Sequence, residues 1–321
     1  MHGLMMDVPL TITGILRHAQ QNHGEQVIVS ITADHPRHRY TYRDAFARAA
    51  RLANALARLN LPASARVATL AWNDFRHFEL YYAVCCSGRV LHTVNPRLTP
   101  EQIAWIINHG GATVLFASPE FSPLLAKLVP YLTHVRTVVY MTGAAHMPAA
   151  SAEPLLANAQ CYETLVDAES PAFDWPILDE RAASCLCYTS GTTGHPKGVL
   201  YSHRSTVVHA LVAGSADTIG VRAVDSLLPV VPMFHVNAWA IPFVVPMAGA
   251  KLVLPGRGAG DPATLADLIN SEQVTMALGV PTVWLALLQY LADTGIRLPS
   301  LKRTVVGGAA CPPAVIDEFR E

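Results

Sequence analysis

Residues 67–117 read VATLAWNDFRHFELYYAVCCSGRVLHTVNPRLTPEQIAWIINHGGATVLFA, and the class of fold can be predicted from this stretch. Short apolar runs of strand length occur three times in it and predict buried strands at 67–71, 90–94 and 114–117. Helical patterns fill the two intervals between these runs. Because neighbouring parallel strands need a crossover helix, the alternation predicts an α/β fold with a mainly parallel sheet.

The second of these helices carries its own start signal. Thr99 is a good capping residue, Pro100 suits the first helical position, and Gln102 stands where a capping box needs it. We therefore expect a helix from this point to about Asn108. Further upstream, apolar residues recur at helical spacing and predict an amphipathic helix over 40–60.

The same alternation continues in the second half of the chain. Strands are predicted at 184–189, 251–254, 274–278 and 303–306, and helices at 262–270 and 282–292. The pattern predicts two stacked α/β lobes with mainly parallel sheets, approximately residues 50–205 and 206–321, with residues 1–49 packing on the second. The weaker, acidic and Pro-containing pattern over 141–180 is interpreted as a surface excursion. Residues 312–321 are interpreted as the start of a helix, and the sequence ends before any signal that would stop this helix.

Composition excludes several classes of protein. Of the 321 residues, 51% are hydrophobic and only 15% are charged, against about 25% in an average soluble domain. Such a chain can bury a large core, which excludes intrinsic disorder as its main state. The net charge is -1, so no strong field exists to recruit nucleic acid or an anionic membrane.

Cysteine spacing and hydropathy predict a soluble protein of a reducing compartment. None of the six cysteines forms a C-x-x-C pair, so neither a zinc site nor a thioredoxin-like centre is predicted. The N-terminus lacks the basic and apolar segments of a signal peptide, and we expect a cytoplasmic location. The apolar stretch 227–254 is interrupted by four prolines, and we expect a buried core segment rather than a membrane span.

The chemically most informative stretch is 188–199, which reads YTSGTTGHPKGV. Its hydroxyl groups and open backbone N–H groups suit a polyphosphate, and its two central glycines let the chain approach anionic oxygens closely. Lys197 adds a mobile positive charge. The string is not a Walker A sequence, because no Gly-Lys-Ser/Thr ends it. The alternative is an ordinary Gly/Thr turn between a strand and a helix, with 191–198 as the loop.

This string resembles the phosphate loop of the adenylate-forming superfamily, which comprises acyl-CoA synthetases, peptide adenylation domains and beetle luciferases. Two further segments follow in the family's order. The segment 232–239 (PMFHVNAW) resembles the second core motif, and 307–310 (GGAA) resembles the adenine-contacting segment. More narrowly, HGLMM at 2–6, TVNPR at 93–97 and VLYSHR at 199–204 resemble bacterial medium- and long-chain fatty acyl-CoA ligases, a group that includes methylmercaptopropionate-CoA ligases.

The resemblance implies a role for each of these positions. The phosphate-binding residues would be Thr189, Ser190, Gly191, Thr192, Thr193, Gly194 and Lys197, with the Thr189 hydroxyl as a Mg²⁺ ligand. Gly307, Gly308 and Ala309 would contact the adenine. His235 would stand beside the reacting carboxylate and the α-phosphate, Trp239 would gate the acyl tunnel, and Val280 and Gly308 would border the substrate. Lys197 and His235 are thus the candidate catalytic residues, although a lone histidine or tryptophan in so apolar a stretch also fits a core position.

The implied reaction joins a fatty acid to coenzyme A through an acyl-adenylate, with ATP converted to AMP and diphosphate. A medium- or long-chain fatty acid is the expected substrate, and methylmercaptopropionate or another short-chain or aryl acid is the alternative. The partners would be the carboxylic acid, ATP and CoA, with a homodimer plausible by resemblance.

The family's aromatic-Gly-x-Thr-Glu motif, ribose-binding Asp and small C-terminal domain do not occur before Glu321. Residues 1–321 are therefore expected to be an incomplete N-terminal AMP-binding domain with negligible ligase turnover by itself. The alternative from another class is a non-catalytic nucleotide-binding or interaction module.

Overall fold

A computed structural model describes residues 1, 3–189 and 196–319. The N-terminal elements are α1 (Ile12–Asn22), β1 (Val27–Ser30), β2 (His38–Thr41) and α2 (Tyr42–Arg58). Next come β3 (Arg66–Leu70), α3 (Phe75–Cys86), β4 (Val90–Thr93), α4 (Pro100–His109), β5 (Ala112–Ala117), α5 (Ser122–Leu128), β6 (Thr137–Tyr140), α6 (Pro154–Ala157), β7 (Gln160–Cys161), α7 (Tyr162–Asp167), β8 (Ala183–Thr189) and β9 (Lys197–Ser202). The remaining elements are α8 (His203–Ala213), β10 (Ser226–Pro229), α9 (Ile241–Ala248), β11 (Lys251–Leu254), α10 (Pro262–Ser271), β12 (Met276–Gly279), α11 (Pro281–Thr294), β13 (Arg303–Val306) and α12 (Pro313–Glu318).

Two mainly parallel sheets organise these elements. The first sheet has the strand order β7-β6-β5-β3-β4-β8-β9, and only its β8–β9 pair is antiparallel. The second sheet has the order β13-β12-β10-β11-β1-β2, and only its β1–β2 pair is antiparallel. The predicted α/β class with two mainly parallel sheets is therefore confirmed.

Helix α3 lies between the two sheets. All twelve of its residues are buried, and it contacts β1 of the second sheet as well as β4 and β8 of the first. Asp74 caps its N-terminus by accepting a hydrogen bond from the His77 backbone N–H at 2.8 Å. Side chains on this helix therefore reach groups of both sheets.

Local signals read from the sequence are confirmed where they depend on near neighbours. Helix α4 has both halves of the capping box: the Thr99 side chain accepts from the Gln102 backbone, and the Gln102 side chain accepts from the Thr99 backbone. The helix expected over 40–60 is α2. The apolar stretch 227–254 forms β10, α9 and β11, with its core side chains buried.

Cys185 and Cys187 are buried on β8, and all six cysteines are free thiols. Within the described residues, no helix combines the length and the apolar character needed to cross a bilayer. The cytoplasmic location stays a prediction.

Two expectations from the sequence are wrong. Residues 141–180 are not simply a surface excursion, because Tyr162 and Val166 of α7 are fully buried and the Tyr162 hydroxyl donates to Glu79 Oε2 at 2.6 Å. Acidic and polar residues in this segment are partners of buried groups, which composition alone does not distinguish from solvent-facing ones. Lys197 and Gly198 are not in a loop either, because they pair with β8 as the first residues of β9.

Buried ion pairs connect distant segments near α3. The Arg76 side chain is fully buried and forms a two-pronged pair with Asp34, which follows β1. Its Nε also donates to Glu163 of α7 at 2.6 Å, and Glu163 in turn pairs with Arg48 of α2. Arg48 completes the network through the buried Glu79. Such planar guanidinium groups satisfy several carboxylates at once, and this makes burial of the charges tolerable.

Candidate functional site

A cavity of about 280 Å³ lies where the ends of several parallel strands meet. In the first sheet β4 pairs with β8, and in the second sheet β10 pairs with β12; both pairs are parallel. The cavity is lined by residues at or just after the carboxyl ends of these strands. In open α/β sheets, ligands bind outside the carboxyl ends of the strands. The lining residues are Asn95, Arg97, Leu98, Tyr188, Val230, Val231, Pro232, Phe234, His235, Ala259, Gly260, Val280 and Val283.

The predicted phosphate loop joins two antiparallel strands, so the alternative of a turn between a strand and a helix does not hold. Thr189 is the last residue of β8, and it lies opposite Lys197, the first residue of β9. Both side chains are exposed. The other predicted phosphate-binding residues, Ser190 to Gly194, and His2 of the N-terminal motif lie outside the described residues.

Tyr188 connects this hairpin to the cavity. It precedes Thr189 directly and lines the cavity. Its hydroxyl lies 2.6 Å from His109 Nδ1, and its ring meets Trp105 edge-on. Gly198 faces it across the hairpin, and a Cβ at Gly198 would come within 3.2 Å of the Tyr188 ring. The paired ends of β8 and β9 therefore lie beside the cavity, and the Tyr188 ring is part of the cavity wall.

His235 lies on the cavity wall with an exposed side chain, so it is not a core histidine. Partial burial lowers its pKa below the ordinary value of 6.5, and the imidazole is therefore mainly neutral at pH 7. A neutral imidazole has one donor and one acceptor nitrogen. Its neighbour Phe234 lies under the Arg97 guanidinium, whose carbon is 5.8 Å from the ring centre.

The five residues after His235 form a left-handed turn. Val236, Asn237, Ala238, Trp239 and Ala240 have φ angles between 46° and 67°. None of them is glycine, and left-handed backbone costs other residues roughly 1–2 kcal/mol each. The surrounding structure must therefore hold this turn in place.

Trp239, Val280 and the two glycines after β13 come together on one side of the site. A Cβ at Gly307 would lie 2.6 Å from Trp239 Cη2, so the indole packs directly on the glycine backbone. Gly308 has a φ of 81°, and a Cβ there would lie 3.2 Å from Val280 Cγ1. Ala309 follows and is exposed. Only glycine at 307 leaves room for the ring, and the positive φ favours glycine at 308.

The structure therefore brings together residues that are far apart in the sequence. Val280 lines the same cavity as His235, and through Gly308 it reaches the predicted adenine segment. Sequence reasoning missed the roles of Tyr188, Asn95 and Phe234 as lining residues. Asn95 had a usable signal, since it follows β4 at the carboxyl end of a parallel strand.

No group of three or more His, Cys, Asp or Glu side chains with metal-binding geometry occurs in the described part of the chain. The predicted Mg²⁺ ligand, Thr189, offers one exposed hydroxyl. Mg²⁺ commonly keeps several waters and is held through substrate phosphates rather than by an all-protein cage. Thr189 therefore offers one ligand to a Mg²⁺ that arrives with a nucleotide, and its role as a ligand stays a prediction.

Comparison with known proteins identifies the family. The profile described as "AMP-binding enzyme" matches residues 15–321. The 3-methylmercaptopropionyl-CoA ligase of Ruegeria lacuscaerulensis is 48% identical over 321 residues, which are 100% of this chain and 59% of that protein. The medium-chain-fatty-acid–CoA ligase of Ectopseudomonas oleovorans is 46% identical and is covered to 58%. The chain thus spans less than two thirds of the length of these curated relatives.

Solved structures show the same fold. An anthranilate CoA ligase in complex with anthranoyl-AMP superposes with a TM-score of 0.85 at 21% identity, over 98% of this chain and 58% of that one. A long-chain-fatty-acid-CoA ligase from Archaeoglobus fulgidus gives a TM-score of 0.83 at 20% identity, over 98% of this chain and 61% of that one. With the profile match across most of the chain, the resemblance noted in the sequence is confirmed, and the chain belongs to the AMP-binding enzyme family.

Proposed function

We propose that this chain binds ATP and a carboxylic acid side by side and is part of an acid–thiol ligase. The whole protein would form an acyl-adenylate and diphosphate, and then transfer the acyl group to CoA with release of AMP. One observation carries the proposal: a single cavity is bordered by Tyr188 at the phosphate hairpin, by His235, and by Val280 beside Gly308. This arrangement supports the proposal of contiguous sites for phosphate, carboxylate and adenine.

The chain's residues would act by position and charge. The Lys197 ammonium and the Thr189 hydroxyl would hold the phosphates, and the Mg²⁺ that accompanies them would neutralise the developing charge. The neutral His235 imidazole would donate a hydrogen bond to an oxygen of the carboxylate or the α-phosphate. The exposed backbone of Gly308 would accept the flat adenine ring, next to Gly307, on which the Trp239 indole packs. Holding the two reactants in one orientation supplies much of the rate.

The lining of the cavity supports an aliphatic acid. Its side walls include Leu98, Val230, Val231, Val280 and Val283. We propose a medium- or long-chain fatty acid as the substrate, which agrees with the resemblance to fatty acyl-CoA ligases. A short acid such as 3-methylmercaptopropionate is the second candidate, favoured by the 48% identity to ligases of that name and by a cavity of only about 280 Å³.

Calorimetric titration of the 321-residue chain tests the proposal. The ligands would be Mg·ATP and non-hydrolysable acyl-sulfamoyl adenosines carrying octanoyl, palmitoyl or 3-methylmercaptopropionyl groups. We expect an acyl-sulfamoyl adenosine to bind more tightly than ATP, because it fills both halves of the site. Lys197→Met should weaken Mg·ATP at least tenfold, whereas Lys127→Met, which removes an exposed lysine on α5, should not.

Absence of binding by all of these ligands would contradict the proposed function. Binding of Mg·ATP with no added affinity from any acyl group would favour a nucleotide-binding module instead. The tightest acyl group would rank the two substrate candidates.

A homodimer is a further part of the proposal. Exposed apolar side chains on β9 and α8, namely Leu200, Leu211 and Val212, support it. Sedimentation velocity over a range of concentrations tests it, and a single species at the monomer mass would contradict it.

A further inference from the structure

The strained turn at 236–240 directly follows His235, which lines the cavity, and it contains Trp239, whose indole packs on Gly307. Five consecutive non-glycine residues with positive φ are retained only where contacts from outside the turn hold them. The residues that make those contacts therefore help to fix the position of His235 in the site.

The first group of contacts comes from Asn73, in the connection between β3 and α3. Its Nδ2 donates to the carbonyls of Pro229 at 2.9 Å and Val231 at 2.8 Å, and its Oδ1 accepts from the Met233 backbone N–H at 2.6 Å. Asn73 is 2% exposed, so water does not compete for these bonds. One side chain thus fixes three successive points on the segment that leads to His235.

The second group holds the start of the turn itself. The Tyr81 hydroxyl, on α3, donates to the Met233 carbonyl and approaches Asn237 Oδ1 at 3.2 Å. The Thr93 hydroxyl donates to the Phe234 carbonyl at 3.2 Å, and the Cys187 thiol donates to Asn237 Oδ1 at 3.5 Å. These contacts bracket His235 on both sides in the sequence.

All four side chains belong to the first sheet, to α3 or to the connection between β3 and α3, whereas the turn follows β10 of the second sheet. Tyr81 is fully buried, Thr93 is 1% exposed and Cys187 is 3% exposed, and none of them lines the cavity. They therefore have no route to a substrate. Their hydrogen bonds to the turn and to the segment before it are the side-chain contacts that connect them to His235.

We propose that Tyr81, by direct contact, and Asn73, through the segment that leads to His235, are positioning residues for the turn, so that His235 faces the cavity and the Trp239 indole lies on Gly307. The link to catalysis rests on the proposed function, but the structural link between these side chains and the turn does not. Loss of one bond should let the turn relax toward ordinary backbone angles. The indole and the imidazole should then move, while the rest of the core stays in place.

A ¹⁹F NMR comparison on chain labelled with 5-fluorotryptophan tests the structural link. The chain has five tryptophans, and Trp239→Phe assigns the signal of interest. Tyr81→Phe removes only the hydroxyl. Tyr42→Phe is the matched control, because its buried hydroxyl also donates to a backbone carbonyl, that of Ala250 at 2.7 Å, away from the turn.

We expect Tyr81→Phe to shift or split the Trp239 signal and to leave the other four signals in place. Tyr42→Phe should leave the Trp239 signal unchanged, although it lowers stability to a similar degree. Thr93→Val supplies a second test if Tyr81→Phe does not fold. An unmoved Trp239 signal in the folded variant would overturn the proposal and leave Tyr81 a purely structural residue.

Binding supplies the functional half of the test. The acyl-sulfamoyl adenosine that binds best should bind at least tenfold more weakly to Tyr81→Phe and equally well to Tyr42→Phe. Equal binding to Tyr81→Phe would overturn the positioning role even if the signal moves. If the unsubstituted chain binds no such ligand, the proposed function fails, and the NMR comparison still decides whether Tyr81 holds the turn.

Discussion

Replacing Asp34 by asparagine should destabilise the fold far more than an ordinary surface substitution. Both Asp34 oxygens are occupied: Oδ1 accepts from Thr32 and from Arg76 Nη1, and Oδ2 accepts from Arg76 Nη2 at 2.7 Å and from the Gly143 N–H at 2.9 Å. Asparagine presents an N–H₂ group where one of these oxygens stood. The two donors that now bind that oxygen would then face the N–H₂ group, which cannot accept a hydrogen bond, and the buried Arg76 would lose a negatively charged partner.

The magnitude follows from the burial of the pair. The Arg76 side chain is 0% exposed and that of Asp34 is 3% exposed. Removing one partner of a buried ion pair costs about 3–5 kcal/mol. Glu163 still accepts from Arg76 Nε in the variant, which places the expected loss near the lower end, about 3 kcal/mol. With a urea m-value near 3 kcal/mol/M, the unfolding midpoint should fall by roughly 1 M.

The effect should depend on pH in a defined direction. Burial by itself would raise the pKa of Asp34, but the hydrogen bonds and charge of Arg76 outweigh it and hold the pKa well below the ordinary 3.8. The stabilisation is therefore fully present above about pH 4 and is lost as the pH falls toward the folded-state pKa. The difference between the wild-type chain and Asp34→Asn should be largest near pH 7 and should shrink below pH 4.

The assay is urea unfolding followed by far-UV circular dichroism. Glu25→Gln is the matched control, because the Glu25 side chain is 80% exposed and that of its partner Arg43 is 60% exposed. Loss of this exposed ion pair should lower the free energy of unfolding by only about 0–1 kcal/mol. A midpoint for Asp34→Asn equal to that of Glu25→Gln would show that the buried pair of Asp34 and Arg76 contributes no more than an exposed pair. Adding Arg76→Met to Asp34→Asn should recover part of the loss, since the uncompensated buried charge is then gone.

Three further predictions concern glycines and histidines. Gly256→Ala should lower the free energy of unfolding by about 3 kcal/mol, because Gly256 has a φ of 55° and a Cβ would lie 2.2 Å from the Ile31 carbonyl oxygen. The control is Gly14→Ala on α1, where a Cβ would enter open space, and it should not lower the free energy of unfolding in the same urea titration. Gly307→Ala should displace the Trp239 indole and weaken acyl-sulfamoyl adenosine binding at least tenfold while the unfolding midpoint changes little, and unchanged binding would contradict the packing described here. Burial lowers the pKa of His77 to about 4 and that of His92 to about 3, so the unfolded chain takes up protons near pH 6.5 that the folded chain does not. Stability should therefore fall as the pH drops from 6.5 toward 4, and urea midpoints that stay constant or rise over this range would contradict it.

Elements whose causes are local were predictable from the sequence. The crossover pattern of 67–117, the capping box of Thr99 and Gln102 and the strands at 251–254 and 303–306 depend on residues within a few positions of each other. Hydrophobic periodicity and capping record such interactions directly. The motif at 188–199 likewise identified the family without any knowledge of the fold.

Other features depend on partners that are distant in the sequence. The acidic segment around Glu163 was expected to be solvated, because no local signal shows that Arg76 and Arg48 lie against it. The pairing of Thr189 with Lys197 needed β9 to fold back on β8. In both cases the local sequence is compatible with two structures, a solvent-exposed segment or one paired with a distant part of the chain. Which of the two forms depends on contacts with residues far away in the sequence.

Local residue patterns were enough to assign the α/β class, the family and the chemical groups that the proposed reaction uses. Long-range packing was needed to show that His235, Val280 and Tyr188 share one cavity, and that the residues after His235 take a left-handed path. The physical reason lies in the range of the interactions. Secondary structure follows from contacts within a few residues, whereas five unfavourable backbone conformations persist only because the buried Tyr81 and its neighbours, more than a hundred residues away, hold them.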